Sequence, residues 1–234
     1  MGAIYKKEMK AYFTTPVGYI FIAAMLLLTA VAFSFTTLQV QSWQTSQYFT
    51  LTLFVFIVLV PVLTMKSFSE ERRTRTEQML LTSPVSLTSM VMAKYFAAMT
   101  MMAGVIVLTG VYYLPLYEYA DPETAILLGD MIALLLVGSA FVALGLFISS
   151  LTENQMVSCV ITIVIILLFL VASFANSYIN SSVIRTVLNW ISVFSRFGNF
   201  TNGIFDFAAT LYYLSITAVG IFLTVRVYEK RRWG

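Results

Sequence analysis

Few residues of this chain have types and spacing that could do chemistry, and most of them gather in one stretch. It reads KSFSEERRTRTEQMLLTSPV, Lys66 to Val85, and lies between two long apolar segments. From Ser67 to Thr82 the pattern is polar and mixed in charge, with Phe68, Met79, Leu80 and Leu81 as its apolar members and no glycine or proline to break a helix. This predicts an amphipathic helix along the membrane surface, whose chemistry is docking: acids and bases for ion pairs, Met and Leu for an apolar groove. A solvated loop bearing arginines accounts for the same residues equally well.

Catalysis finds no such foothold. The sequence has no histidine, and its one cysteine, Cys159, lies inside an apolar run, which excludes a His/Cys metal site, a disulfide framework and the Ser-His-Asp or Cys-His nucleophile arrangements. No G-x-x-x-x-G-K-[ST] loop occurs, so the chain is expected to hydrolyse no ATP and to be no enzyme by itself. Ion-coupled transporters keep ionisable residues inside their spans, whereas here the middle of every span is uncharged. Asp130 stands a turn or two inside one end of the fourth span and is expected to snorkel to the interface rather than line a path; Lys94 is its counterpart at an end of the third. Energy for transport must then come from elsewhere.

The elements that position these residues are membrane helices. Apolar residues make up 59% of the chain and charged ones 11%, and the apolar residues fall in runs of about 20, the length of a helix that crosses the hydrocarbon. In lipid each segment must satisfy its own backbone, and no strand-like alternation suggests a barrel. The fold class is therefore an all-α membrane protein, a single transmembrane domain over 1–234 with six spans: Val17 to Leu38, Phe49 to Met65, Tyr95 to Leu114, Thr124 to Ser149, Met156 to Ala175 and Phe207 to Val227. A basic interfacial helix, 1–16, leads into the first, which is too long for a signal peptide. Lys6, Lys7, Lys10, Lys66, Arg72, Arg73, Arg75, Lys94, Arg226, Lys230, Arg231 and Arg232 all fall on one side of six spans, leaving Arg185 and Arg196 on the other. Both termini and the 66–86 segment are thus expected in the cytoplasm. The net charge of +3 is explained by a basic rim facing anionic lipid, with no nucleic acid partner.

Smaller signals mark the connections. Thr152 and Gln155 have capping-box spacing, flanked by Leu151 and Met156 as a hydrophobic staple, so a helix should restart at Glu153 after a tight turn. Ser83-Pro84 suits another helix start. In the 176–206 segment, Val183, Ile184, Val187, Leu188, Ile191 and Phe194 recur at helical spacing from Ser182 to Phe197, for a helix that dips into the outer leaflet or packs on the ends of the bundle. Gly138, Ala140, Ala143 and Gly145 permit close helix approach, within the bundle or between protomers. Tyr5, Tyr12, Tyr19, Tyr112, Tyr113, Tyr117, Tyr119, Tyr212, Tyr213 and Trp233 fall near span ends, as an interfacial belt would.

These residues carry a family resemblance. EERRTRTEQMLLTSPVS, Glu70 to Ser86, resembles the cytoplasmic coupling segment of type-two ABC transporter permeases, six-span subunits that pair with separate ATPases. The likeness continues through Lys94 and the turn GLFISSLTENQ, Gly145 to Gln155. FSRFGNFTNGIFDFAATLYYLSITAVGIFLTVRVYEKRRW, Phe194 to Trp233, is similar to the last third of the permease of gliding-motility ABC systems and their relatives in non-gliding bacteria. Many members have glycine in place of Arg75 and a histidine near Arg196; the first change implies a more continuous coupling helix here.

The resemblance implies a multi-pass protein of the bacterial inner membrane that works as an exporter dimer, homo- or heterodimeric, with an ATPase dimer that binds the ATP and Mg, and with an accessory envelope subunit as a further partner. Glu70, Glu71 and Glu77 would pair with bases on the ATPase, Arg72, Arg73 and Arg75 with acids or lipid phosphate, and Met79, Leu80 and Leu81 would fill an apolar groove. The alternative is a non-transporting platform that couples hydrolysis to an envelope process. No residues fix a substrate; an uncharged mid-membrane leans towards an apolar, lipid-like or peptide one.

Overall fold

Long apolar runs bounded by polar caps become helices in the computed structural model, which describes all residues except 40–44, 79–84, 115–123, 176–191, 202, 204–205 and 234. Among the described residues the regular structure is helical throughout. The helices are α1 (Gly2–Thr14), α2 (Pro16–Phe33, ending in a π-helical turn Ser34–Leu38), α3 (Ser46–Thr64), α4 (Lys66–Arg73), α5 (Leu87–Gly110, then a 3-10 turn Val111–Tyr113), α6 (Thr124–Leu151), α7 (Gln155–Ala175), α8 (Val193–Thr201) and α9 (Phe207–Trp233). Among the described residues six stretches are long and apolar enough to cross a membrane: Pro16–Leu38, Ser46–Arg73, Leu87–Tyr113, Thr124–Leu151, Gln155–Ala175 and Phe207–Arg232. They match the expected six in order. The second and third reach further into the basic end than their apolar runs, because helical hydrogen bonding continues past the hydrocarbon into charged sequence.

α6 is the central post, packed against α3, α4, α5, α7, α8 and α9. Its small residues serve contacts inside the bundle. A Cβ on Gly145 would run into the Thr64 hydroxyl of α3, and one on Gly220 of α9 would come within 3.0 Å of the Ala143 Cβ. α7 is the opposite case, with a mean hydropathy of 3.0 and only 22% of that apolar stretch buried. It turns Met156, Val157, Val160, Val164, Leu168 and Val171 away from the bundle.

Asp130 does not snorkel. It is fully buried, and its Oδ2 accepts a 2.7 Å hydrogen bond from the Thr45 hydroxyl at the start of α3. A single methylene is too short to reach the interface from an inward-facing position, so the carboxyl takes a partner inside the bundle. Several tyrosines also depart from the belt. Tyr12, Tyr113 and Tyr213 are buried, and Tyr213 donates to the Val193 carbonyl at 2.8 Å, whereas Tyr19 is exposed as a belt residue should be. Tyr117 and Tyr119 lie outside the described residues.

The helix starts differ in detail as well. α7 begins at Gln155, and the cap is Asn154, whose Oδ1 accepts from Met156 N at 2.9 Å; Thr152 instead donates back to the Ile148 carbonyl at the end of α6. Ser83-Pro84 lies outside the described residues, and α5 starts at Leu87 with Ser86 as its N-cap. Any of several neighbouring Ser, Thr or Asn oxygens can satisfy a first-turn N–H, so spacing alone does not choose between them.

Of the expected helix over Ser182 to Phe197, residues through Ile191 lie outside the described residues. The next element, α8, starts inside the bundle and runs back toward the first turn of α6. Phe194 packs against Phe54 of α3 and against Phe141 of α6, about 25 Å along α6 from Thr124 at 1.5 Å per residue. Past its other end, Gly203 (φ +76°) lies against the Ile126 side chain in the first turn of α6. Asp206 then caps α9, accepting from the N–H groups of Ala208 and Ala209 and from the Asn199 amide. The Asn199 hydrogen bond, with the two N–H groups, holds the Asp206 carboxyl below the usual carboxylate range.

Candidate coupling site

α4 carries on from α3 almost without a break, since Met65 keeps helical angles (φ −55°, ψ −34°). The ladder is interrupted by a side chain from α6. Ser149 Oγ accepts from the N–H groups of Phe68 and Ser69, both at 3.1 Å, and donates to the Met65 carbonyl at 3.1 Å. Ser69 Oγ also donates to that carbonyl. Insertion of a hydroxyl into a helical ladder is a recognised cause of local bending, and it fixes α4 to the central post.

Charge then ties α4 to two more helices, α1 and α5. Lys94 of α5 is 1% exposed, and its ammonium meets Glu8 of α1 at 2.9 Å, Glu71 of α4 at 3.0 Å and the Ser67 carbonyl at 2.7 Å. Lys7 meets Glu71 at 3.1 Å, closing a neutral set of two bases and two acids, and the Phe68 ring centroid lies 4.9 Å from the Lys94 ammonium. Burial works against the charged Lys7, but Glu71 and then Glu8 outweigh it and raise its pKa. On the other side Phe68 packs on Tyr228 of α9, ring centroids 5.0 Å apart.

Two guanidinium groups complete the clasp by capping the end of α6. Arg72 donates to the Leu151 carbonyl at 2.8 Å and pairs with Glu153; Arg231 of α9 donates to the Ser150 carbonyl at 2.6 Å and pairs with Glu77 at 2.9 Å. Cations at the last carbonyls satisfy orphan acceptors and complement the helix dipole.

The anticipated docking residues thus divide. Glu71, Arg72 and Glu77 are engaged within the chain. Glu70 is half-buried, while Arg73 and Arg75 are exposed, none of the three in an ion pair among the described residues. Met79, Leu80 and Leu81 lie outside the described residues. The helix over Ser67 to Thr82 is not continuous. It ends at Arg73, and Arg75 stands at φ +56°, the left-handed cap position that glycine takes without strain. Arginine in place of glycine therefore leaves the turn in place and adds strain to it.

Lys7, Glu8, Lys94, Ser149 and Arg231 complete this site, beyond the residues that the sequence pattern marks for docking. Lys94 carries a usable signal, a lysine eight residues into an apolar helix that starts at Leu87, which must find an acid or stay unsolvated. Ser149 carries none. Among the described residues no cluster of His, Cys, Asp or Glu could hold a metal ion. What the arrangement can do is mechanical, since a force on the exposed Arg73 to Thr76 turn reaches four helices through specific contacts.

No curated protein matches the chain. A family model does: that of the ABC-2 family transporter protein matches residues 28–227, which covers four of the six spans whole and part of the other two, the α3–α4 joint, the clasp around it apart from α1 and the final Arg231, and α8. With six apolar helices and a match over most of its length, the chain belongs to the ABC-2 family of transporter proteins, as a membrane-spanning permease.

Proposed function

We propose that this permease is the membrane half of an ATP-driven exporter, one of two six-span subunits that form the path. A separate ATPase dimer binds ATP and Mg and pushes on the turn from Arg73 to Leu81. The observation that carries this reading is the clasp: Arg73 to Thr76 is exposed, yet α4 behind it is bound to α1 and α5 by the Lys94 set, to α6 by Ser149 and Arg72, and to α9 by Phe68 on Tyr228. A push there moves the bundle ends instead of dissipating in a loose loop. Arg73 and Arg75 offer exposed charge to the ATPase, and Met79, Leu80 and Leu81 supply the apolar contact. Exposed pairs contribute about 0 to 1 kcal/mol each, so the apolar trio should dominate the affinity.

The lysine and arginine bias supports a cytoplasmic location for this end in a bacterial inner membrane. The likeness of Phe194 to Trp233 to motility-type permeases supports placement near that subgroup. The uncharged span centres favour an apolar, lipid-like or peptide cargo.

Co-purification tests the coupling. Replacing Met79 and Leu80 together by aspartate should leave the chain inserted but abolish recovery of the ATPase, because a charge cannot enter an apolar groove unpaired. Arg73→Glu should weaken recovery far less. Normal assembly and hydrolysis by the double variant would refute the assignment. ATP-dependent uptake of substrate into inverted vesicles separates an exporter from a purely mechanical complex.

A further inference from the structure

Between α1, the start of α2, α4 and α5 the basic end opens into a cleft of about 370 Å³. Its floor is the closed set of Lys7, Glu8, Glu71 and Lys94, and its wall is α4. On that wall Ser67 is only 7% exposed, and its hydroxyl has no hydrogen-bond partner among the described residues. A buried, unpartnered hydroxyl at the lining of a cavity is a group waiting for a ligand atom. Lys66 and Glu70 flank it, both half-buried. They stand one turn apart with opposite charge, the spacing at which such pairs commonly close, yet no ion pair forms between them.

The lining carries as many bases as acids: Lys7, Lys66 and Lys94 against Glu8, Glu70 and Glu71. A plain anion gains no net attraction from that balance, and neither does a plain cation. A ligand bearing one charge of each sign does, provided they are spaced to meet Lys66 and Glu70 separately. Ala11, Tyr12 and Val17 give the cleft an apolar side where α1 turns into α2. The first two follow three lysines on an interfacial helix and the third opens a span, so this side lies at the level of the leaflet's headgroups.

We propose that the cleft binds the headgroup of a zwitterionic phospholipid with a primary ammonium, of the phosphatidylethanolamine type. Its phosphate lies against the Lys66 ammonium and the Ser67 hydroxyl, its ammonium donates to the Glu70 carboxylate, and its acyl chains leave past Tyr12 and Val17. A choline headgroup has no N–H to give Glu70, and an anionic headgroup offers Glu70 no cation.

The test uses the full chain, reconstituted into nanodiscs with equal parts of ethanolamine, choline and glycerol phospholipids, re-extracted, and examined by native mass spectrometry for retained lipid. One ethanolamine lipid per chain should be retained, in about ten-fold preference to either competitor, as a charge-assisted hydrogen bond allows. Glu70→Gln should bring the ethanolamine to choline ratio close to one, and Glu70→Asp should restore part of it. Lys66→Gln and Ser67→Ala should lower retention of every phospholipid, and Val160→Ala on the outward face of α7 should change nothing. Helix content by circular dichroism is compared throughout, so a loss of retention with unfolding counts only through the Glu70→Asp and Val160→Ala arms. Preference for the glycerol lipid, absence of any preference, or an unchanged preference in both Glu70→Gln and Lys66→Gln would overturn the proposal. Release of the lipid by an equal concentration of free glycerophosphoethanolamine would overturn it as well, since the chains would then contribute nothing.

Discussion

Lys94 illustrates how much a single side chain can hold in a chain with few charges. It is buried to 1% exposure and bridges α1 and α4 through Glu8 and Glu71 while lying on α5. Lys94→Met would leave two largely covered carboxylates, each 12% exposed, with only the half-exposed Lys7 between them, at a cost of about 3 kcal/mol. The thermal midpoint of the purified chain should fall sharply, and the variant Lys94→Met/Glu71→Leu should recover much of the loss; an unchanged midpoint for the single variant would show that the set is not structural. At the other end of the bundle Asp130 meets Thr45 in the same way. Asp130→Ala strands that hydroxyl, whereas Asp130→Asn keeps an acceptor for it, so the alanine variant should melt lower than the asparagine one. Equal midpoints would mean the bond is dispensable.

Among the elements, the α4 turn shows most plainly what the sequence made legible and what it did not. Mixed charge and the absence of glycine or proline from Ser67 to Thr82 point to one surface helix, yet the helix stops at Arg73 and Arg75 takes φ +56°. Propensity counts residue types one by one, whereas here Arg72, Glu71 and Glu77 are pulled to separate partners on α6, α5 and α9, and the turn is what lets all three reach. The spans, by contrast, are readable to within a few residues at most ends, because a lipid-facing helix is written almost entirely in its own hydropathy. The strain at Arg75 yields a prediction. Arg75→Gly should stabilise the chain by about 1 kcal/mol, since glycine adopts the left-handed region freely, while Arg75→Val should destabilise it. Chemical unfolding in mild detergent would measure both, and a destabilising glycine would mean the arginine makes a contact that outweighs its backbone strain. α8 is legible only in part for a related reason: amphipathic spacing predicts a helix with an apolar face but not the depth at which Phe194 finds Phe54 and Phe141.

At the scale of the whole molecule the question is which way the clasp faces. Twelve of the fourteen lysines and arginines lie at the end that carries α1, α4 and the close of α9, and the bias across short loops should orient the bundle with that end in the cytoplasm. Six spans put both termini on that side, and an odd number would not. The Lys94 set supplies an argument independent of charge counting, because it joins Glu8 near the N-terminus to Glu71 beyond the apolar run of the second span, and two segments in contact must share a side. Arg231 and Glu77 do the same for the C-terminal helix. Cysteine labelling checks the whole arrangement. In a Cys159→Ala background, Thr74→Cys places a thiol on the exposed turn after α4, and Asp121→Cys places one in the connection between the third and fourth spans. A membrane-impermeant maleimide added to intact cells should label the second and leave the first unlabelled, and inverted vesicles should reverse the pattern. Labelling of both from one side would mean that α5, which alone separates the two positions, does not cross the membrane. The six-span arrangement would then fall, and with it the reason to place the α4 turn within reach of a cytoplasmic ATPase.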